Sequence, residues 1–585
     1  MNIAWVVIVS VPVLVLAYRF YGRQVARWLG EDQSCPTPAV LFRDDKDFVP
    51  TRPSVLFGHH FATIAGAGPI LGPTMAACYG YGPVWLWILV GGVLFGAVHD
   101  YAALSISLRE NGRSLADVAR QVLGKPGFIL FVLFTILMLV LVTAAFLNAA
   151  AASLTSEYPL DKLGVAAEET YLKTRMVDGV ALGRIGGIAS TSVIIITVCA
   201  PLVGYLIYKR NLATWRAYVL TGLIAVGSIV VGFQLPLGID PILWMVILSV
   251  YVWAASSIPV WILLQPRDFT NVQILYAGIA MLAVGVVAAG LGGATFDEPA
   301  FAVDHLERGA ATAGGVWPML FVLVACGAIS GFHSLVAGGT TSKQCLLIKH
   351  ARPIAFGGML LESLFAALVL AAIVWGLSFV DYQELVWPGP GGKANPVLAF
   401  AVSAGRLFRA AFGLPIGVGS IFGILMVEGF VVTSLDSAVR LNRYLFEELW
   451  TTLLGDRTPR WLKHALFNSG LAVVLMFVMC YFNAFQKIWP AFGAANQLLA
   501  AMALLVVSLW LLRRKRSVWF TAVPALFMTV TTVGALMWLL VANYWPGGNV
   551  ALIVADLAMT GLALAMVGLA LGTLIRHRGV LPTTT

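Results

Sequence analysis

The sequence predicts an all-α polytopic membrane protein with about 15 transmembrane helices. Two observations carry that class. Hydrophobic residues make up 59% of the 585 residues and charged ones only 11%, whereas a soluble domain carries about 25% charged residues. Apolar windows of about twenty residues, the length that crosses a bilayer, also recur along the chain. Lipid removes the need for a wetted surface and forces backbone polar groups to pair internally, which helices do. The longest polar loops lie near 22–54 and 154–186, so no separate soluble domain is expected. The basic residues behind the net charge of +9 sit at window ends, which points to membrane topology and not to nucleic acid.

The windows can be taken in order. The first, 3–21, lacks a basic leader and runs into Arg19, Arg23 and Arg27, so it reads as a retained helix and not as a cleaved signal. Windows 55–79, 83–107, 127–152, 187–208 and 217–235 follow. Next come 241–264, 271–292, 315–340, 354–379 and 414–437, and then 465–486, 489–512, 518–542 and 550–575. The basic, apolar stretch 396–412 is expected to lie in the interface. With the N-terminus outside, most of the 37 Lys and Arg residues fall on the cytoplasmic side, while the acidic loop 297–307 falls outside. The expected location is a bacterial inner membrane, with the N-terminus periplasmic and the C-terminus cytoplasmic. Cys35, Cys78, Cys199, Cys326, Cys345 and Cys480 are scattered without a C-x-x-C pair, so neither a disulfide framework nor a structural metal is expected.

Charges inside a membrane cost at least about 2.5 kcal/mol and so mark cavities or partners. Asp100, Glu362, Glu428, Asp436 and Asp556 fall inside windows, as do His59, His60, His99 and His333. Asp436 stands four residues before Arg440, the spacing of a structural helix ion pair. Asp556 is near a helix end. Asp100, Glu362 and Glu428 lie deeper and are the candidate proton carriers, beside His59, His60 and His333, whose imidazoles titrate near neutral pH.

Backbone discontinuities supply the second signal. Gly66-Ala67-Gly68-Pro69 and Gly72-Pro73 predict a break in the second window, because proline lacks the amide hydrogen and glycine weakens a helix. Ala255-Ser256-Ser257-Ile258-Pro259 predicts another in the seventh. Broken helices at corresponding places of inverted halves point to a transporter site. The expected division is 1–54 (N-terminal helix and loop), 55–235 and 241–437 (two five-helix repeats) and 438–585 (about four C-terminal helices). Gly66, Ala67, Gly68, Pro69, Ser256 and Ser257 are then candidate substrate-binding residues. Thr340 and Thr341 are candidates for ion coordination, against the bland reading that they bond back to their own helix.

Several motifs resemble the carbon starvation protein A (CstA) family: F-G-H-H-F-A-T-I-A-G-A-G-P-I-L-G-P at Phe57 to Pro73, G-A-V-H-D-Y at Gly96 to Tyr101, R-E-N-G-R-S-L at Arg109 to Leu115, P-V-W-I-L-L-Q-P-R-D at Pro259 to Asp268, C-G-A-I-S-G-F-H at Cys326 to His333, G-G-T-T at Gly338 to Thr341, G-G-M-L-L-E-S at Gly357 to Ser363 and W-P-A-F-G-A-A-N-Q at Trp489 to Gln497. The resemblance runs from about 15 to 515 in order. It departs at His99, which is often Gln in relatives, so no essential role is carried over to His99. The family is similar to transporters of the amino acid–polyamine–organocation superfamily, with a LeuT-like core of two inverted five-helix repeats. The resemblance implies a starvation-response transporter of pyruvate or peptides, with proton-coupled symport for pyruvate, and neither an enzyme nor a cofactor-bearing protein.

The expected mechanism is alternating access around the breaks. Helix N-termini and free amides near Gly66 to Gly68 would hold a substrate carboxylate. The coupling ion is a proton, with sodium at Thr340 and Thr341 as the alternative. The rival reading is a redox enzyme whose histidines ligate haem or a metal. The adjacent His59 and His60 point about 100° apart on a helix, which argues against it. A receptor or a channel is a further rival.

Overall fold

The computed structural model of the chain describes residues 1–31, 35–44, 48–165, 172–259, 261–389 and 391–578. Among them, 12 helices are long and apolar enough to cross a membrane, or 13 if a bent pair counts as one span. We label the elements that position the site. α1 is Trp5–Leu29, the bent pair is α2 (Pro53–Ile64) and α3 (Gly68–Tyr79), and α4 is Tyr81–Arg109. α5 (Leu115–Leu154) is followed by a three-stranded antiparallel sheet, β1 (Tyr158–Pro159), β2 (Thr174–Val177) and β3 (Val180–Gly183), in the order β1-β3-β2. α6 (Ile185–Tyr208) and α7 (Thr214–Gln234) form a hairpin, and α8 (Pro241–Ser257) leads to α9 (Leu264–Leu291). The second half holds α10 (Val303–Ala313), α11 (Phe332–Gly339), α12 (Ile348–Gly376), α13 (Phe379–Val386), α14 (Pro396–Phe412) and α15 (Ile416–Leu454). α16 (Ala465–Phe482), α17 (Phe485–Arg513), α18 (Trp519–Tyr544) and α19 (Val550–Ile575) complete the chain.

Helical structure coincides with each of the fifteen apolar windows, but two windows are not long spans. α8 is a shorter apolar helix. Window 315–340 is broken into Val316–Leu320, Phe321–Leu323 and α11, with non-helical backbone over 324–331. The expected break at 255–259 is instead the C-terminal end of α8. Its free carbonyls are capped by arginines: Arg440 donates to the Ala255 and Ile258 carbonyls at 2.8 and 2.6 Å, and Arg443 to that of Ser256 at 2.9 Å. Orphan carbonyls at a helix end need such donors.

The bundle centre is the pair α5 and α15, which pack against each other, with α17 against α5. α5 bends at Gly124, whose φ of 75° is left-handed and suits glycine, two residues before Pro126. On the periphery, exposed apolar side chains such as Phe20, Val198, Leu223, Leu526 and Val554 form the lipid-facing surface expected of a membrane protein. α14 corrects the interfacial reading of 396–412. Its residues Val397 to Gly405 are all buried, because small residues let backbones meet. A Cβ on Gly423 would sit 2.9 Å from Ala401 Cα, and one on Gly376 2.8 Å from Ser403 Cα. Close approach through small residues is how helices associate where no hydrophobic effect drives them.

One end of α3 is clamped. The Cys78 amide donates to the Tyr382 hydroxyl at 3.0 Å, and that hydroxyl donates to the Thr74 carbonyl at 2.9 Å. Trp387 donates to the Met75 carbonyl at 3.0 Å. The segment carrying Tyr382 is tied in turn to the loop after α5, where Lys162 meets Asp381 at 2.6 Å.

Candidate functional site

The site forms where two interrupted helices cross. Between α2 and α3, Gly66 takes a φ of 28°, a conformation glycine tolerates. Pro69 then stands in the first turn of α3, where its missing amide hydrogen costs nothing. The second interruption lies against the first. A Cβ on Gly68 would fall 2.3 Å from both Cβ and Sγ of Cys326, and one on Gly72 3.1 Å from the Leu323 carbonyl. A Cβ on Gly66 would fall 3.0 Å from Ser434 Oγ of α15, a buried hydroxyl without a hydrogen-bond partner. Among the described residues, the Gly66 and Ala67 amides donate to no backbone carbonyl. Unwound backbone at membrane depth survives only inside protein or along a cavity, and a small cavity is present. Ile64, Gly66, Gly68, Phe146, Cys326, Phe332, Ser434 and Phe492 are among its lining residues, and its free volume is ≈ 20 Å³. That admits a water but no organic solute, so the site is closed in this conformation.

Beside the crossing lies a chain of buried titratable groups drawn from three segments. His333 opens α11 directly after the second interruption. Its Nδ1 is 2.8 Å from Asp100 Oδ2 on α4, and its Nε2 is 3.3 Å from Glu362 Oε2 on α12. Asp100 Oδ1 meets His99 Nδ1 at 2.8 Å. The four side chains are at most 1% exposed. Asp100 thus accepts from two imidazoles, which an ionised carboxylate can do and a neutral one does poorly. With Nδ1 turned to Asp100, His333 Nε2 faces Glu362 Oε2 at ion-pair distance, although neither atom makes a hydrogen bond among the described residues. His60 Nδ1 pairs with Thr341 Oγ1 at 2.8 Å, and its Nε2 lacks a partner.

A second polar cluster joins α9 to α15. Arg267 Nη1 is 2.6 Å from Asp436 Oδ2 and also donates to the Tyr251 hydroxyl. Its Nη2 reaches Asp268 at 3.3 Å, and Thr433 donates to Asp268 at 2.8 Å. Asp436 therefore pairs with Arg267 and not with Arg440, which corrects the helix-spacing expectation.

The crossing brings Gly66, Ala67, Gly68 and Pro69 together with Cys326 and its neighbours, and the titratable chain unites Asp100, His333 and Glu362. His59 does not share the Thr341 contact of His60 and lies within electrostatic reach of Asp268. Glu428 lies apart from the chain, against Ser153. Ser256 and Ser257 do not line the cavity, and both hydroxyls bond back to the Trp253 carbonyl, at 3.1 and 2.8 Å. Thr340 also bonds back, to Val336 at 2.9 Å. Sequence reasoning missed Arg267 and Asp268 because the window limits placed them in a loop. It also missed Cys326 and Asn496, which donates to Cys326 Sγ at 3.3 Å. Among the described residues, no three His, Cys, Asp or Glu side chains converge as a metal site would require.

Comparison with known proteins sets this geometry in a family. The profile described as "Carbon starvation protein CstA" matches residues 2–388 and 389–535. A peptide transporter CstA of Campylobacter jejuni is 31% identical over 90% of this chain and 79% of its own length. The pyruvate/proton symporter BtsT of Escherichia coli is 29% identical over 91% of this chain and 81% of its own. Among solved structures, a manganese transporter of Eremococcus coleocola aligns over 92% of this chain and 99% of its own, with TM-score 0.49 and 12% identity. A match over most of the chain, joined to twelve long apolar helices among the described residues, shows that this is a multi-pass membrane transporter belonging to the carbon starvation protein CstA family.

Proposed function

We propose that the protein imports a small carboxylate such as pyruvate, or short peptides, across a bacterial inner membrane in symport with protons, by alternating access. The observation that carries the reading is His333. It opens the helix that follows one interruption and touches acids on two other segments, Asp100 and Glu362. Any motion of α11 relative to α4 and α12 alters both contacts, so the charge environment of this imidazole is tied to conformation. The free amides at Gly66 and Ala67 suit a substrate carboxylate. Sodium is the weaker alternative, because Thr340 is engaged by its own helix and Thr341 by His60.

The architecture we favour is a LeuT-like pair of inverted repeats, each opening with an interrupted helix. The first runs from α2 to α9, with the α6–α7 hairpin inserted, and the second from residue 316 to α17. This moves the expected second repeat, 241–437, toward the C-terminus. Its support is the packing: α17 lies against α5, α4 and Phe321–Leu323, as α9 lies against α15, α12 and α2. On this reading the N-terminus is periplasmic, the C-terminus is cytoplasmic, and the fifteen windows all cross.

The test uses proteoliposomes with a pH dye in the lumen. Pyruvate added outside acidifies the lumen, and Glu362→Gln abolishes that acidification. Pyruvate accumulating without a pH change would overturn proton coupling. Competition by di- and tripeptides against labelled pyruvate separates the two substrate classes.

A further inference from the structure

Glu428 is a membrane-buried acid that the site described above does not use. It lies on α15 and is 1% exposed. Its Oε1 touches the Ser153 hydroxyl of α5, and its Oε2 has no partner. Proton counting fits a protonated acid. Ser153 Oγ also lies 3.0 Å from the Ala150 carbonyl, which can only accept. Serine has one hydrogen. Both contacts are satisfied when Ser153 donates to Ala150 and Glu428, protonated on Oε1, donates to Ser153.

Among the described residues, no cation on the elements packed on α15 makes an ion pair with this acid. α6 and α16 carry no charged residue. On α5, the contact is Ser153. α8 contributes Tyr251, which points to Asp436. α14 carries Arg406, held by the Gly376 carbonyl, and Arg409, which lies beside Gly164. α2 carries His59 and His60, one near Asp268 and the other on Thr341. α9 contributes Arg267, whose charge is met by Asp436 and Asp268. The segment after α15 holds its bases at the far end, beyond Gly455. An ionised Glu428 would therefore have no ion-pair partner of its own, a costly state for a buried carboxylate unless Arg267 across the cavity is freed toward it.

Glu428 nevertheless borders a cavity. Between α6, α9 and α15 lies ≈ 10 Å³ of free volume, about one water, lined by Thr197, Arg267, Asn271, Glu428 and Gly429 among others. Arg267 Nε, also buried and without a partner, belongs to the same lining residue. Beyond Arg267 stands Asp268, whose side chain is 22% exposed.

We propose that Glu428 is a second proton site of the transporter, separate from the His333 chain, which exchanges its proton through this cavity and the Arg267–Asp268 cluster. The proton leaves the carboxyl to a water in the cavity, leaving a carboxylate that accepts from Ser153 once that hydroxyl turns from Ala150. The assignment rests on the proton coupling proposed above.

The test compares wild-type protein with Glu428→Gln, which mimics the protonated acid, in proteoliposomes. Substrate counterflow is expected to stay within about two-fold, because exchange needs no net proton movement, while the protons moved per substrate fall by one. Wild type moving protons and Glu428→Gln moving the same number overturns the assignment alone. Wild type moving none overturns the coupling reading and the assignment with it. If Glu428→Gln does not fold, Ser153→Ala, which removes the acceptor of the Glu428 proton, shifts the pH midpoint of uptake. An unmoved midpoint overturns the proposal.

Discussion

Replacing Gly68 by alanine probes the crossing of the two interrupted helices. The added Cβ would lie 2.3 Å from Cβ and Sγ of Cys326, against an ordinary carbon–carbon contact of about 3.5–4.0 Å. One backbone must retreat by more than about 1 Å to restore that contact. Overpacking of this kind costs about 1–3 kcal/mol, and the two simultaneous clashes place it toward the upper end. Retreat of the Cys326 segment also carries His333 away from Asp100, and a misplacement of about 1 Å is worth on the order of 100-fold where function depends on geometry. Cys326→Gly removes both clashing atoms and leaves only Cα, at 3.7 Å, an ordinary contact. The double variant therefore recovers stability relative to Gly68→Ala, with a coupling energy of about 1–3 kcal/mol in a double-mutant cycle. The assays are chemical unfolding in mixed micelles and uptake in proteoliposomes. A Gly68→Ala protein as stable and active as wild type, or a double variant no better than Gly68→Ala, would refute the contact.

Three further outcomes follow. Asp100→Asn keeps one acceptor but presents an amide where a second imidazole donates. The loss of one charge-assisted bond costs about 1.5–3 kcal/mol, and proton-driven accumulation ends while counterflow continues, as paired flux assays would read. Tyr382→Phe leaves the buried Cys78 amide without its acceptor, which costs about 1–3 kcal/mol and loosens the end of α3, seen as faster amide exchange there. The third outcome concerns pH. Burial alone would raise the Asp381 carboxyl, but the hydrogen bond and charge of Lys162, the Ser378 hydroxyl and Arg406 outweigh it and hold the acid below its ordinary range. Its stabilisation is thus present above the unfolded value of about 3.9 and disappears as pH falls through the lower folded value. Proteolysis of the 377–395 segment is expected to rise only below about pH 4 in wild type, and Lys162→Ala brings that rise to higher pH.

Local chemistry was legible in the sequence; distant pairing was not. Gly66-Ala67-Gly68-Pro69 announced its break because glycine and proline act on their own backbone. Ser256 to Pro259 gave a similar signal but marks a helix end, since proline follows terminated helices as readily as it interrupts them. The second interruption, Val324 to Gly331, contains no proline and is held open by Gly68 and Asn496 from elsewhere in the chain. Asp100, His333 and Glu362 were each identifiable as membrane-buried titratable residues, yet nothing in their spacing shows that one imidazole lies between two acids. The Asp436–Arg440 expectation failed for the same reason: four residues of separation on a helix permits a pair, but Arg267 on another helix lies closer.

The mutual support of the two interruptions also has a consequence for biosynthesis. The unwound backbone around Gly66 leaves the ribosome long before Cys326, its packing partner, exists. At roughly 5–20 residues per second, the roughly 260 intervening residues take about 13–50 s to make. During that interval the Gly66 and Ala67 amides lie in or near a bilayer without the wall that later encloses them. The nascent α2–α3 segment must then wait in the insertion machinery, keep water beside it, or adopt a temporary straight helix. The crossing of the two interruptions is therefore a late product of assembly, completed only when the second half of the chain arrives.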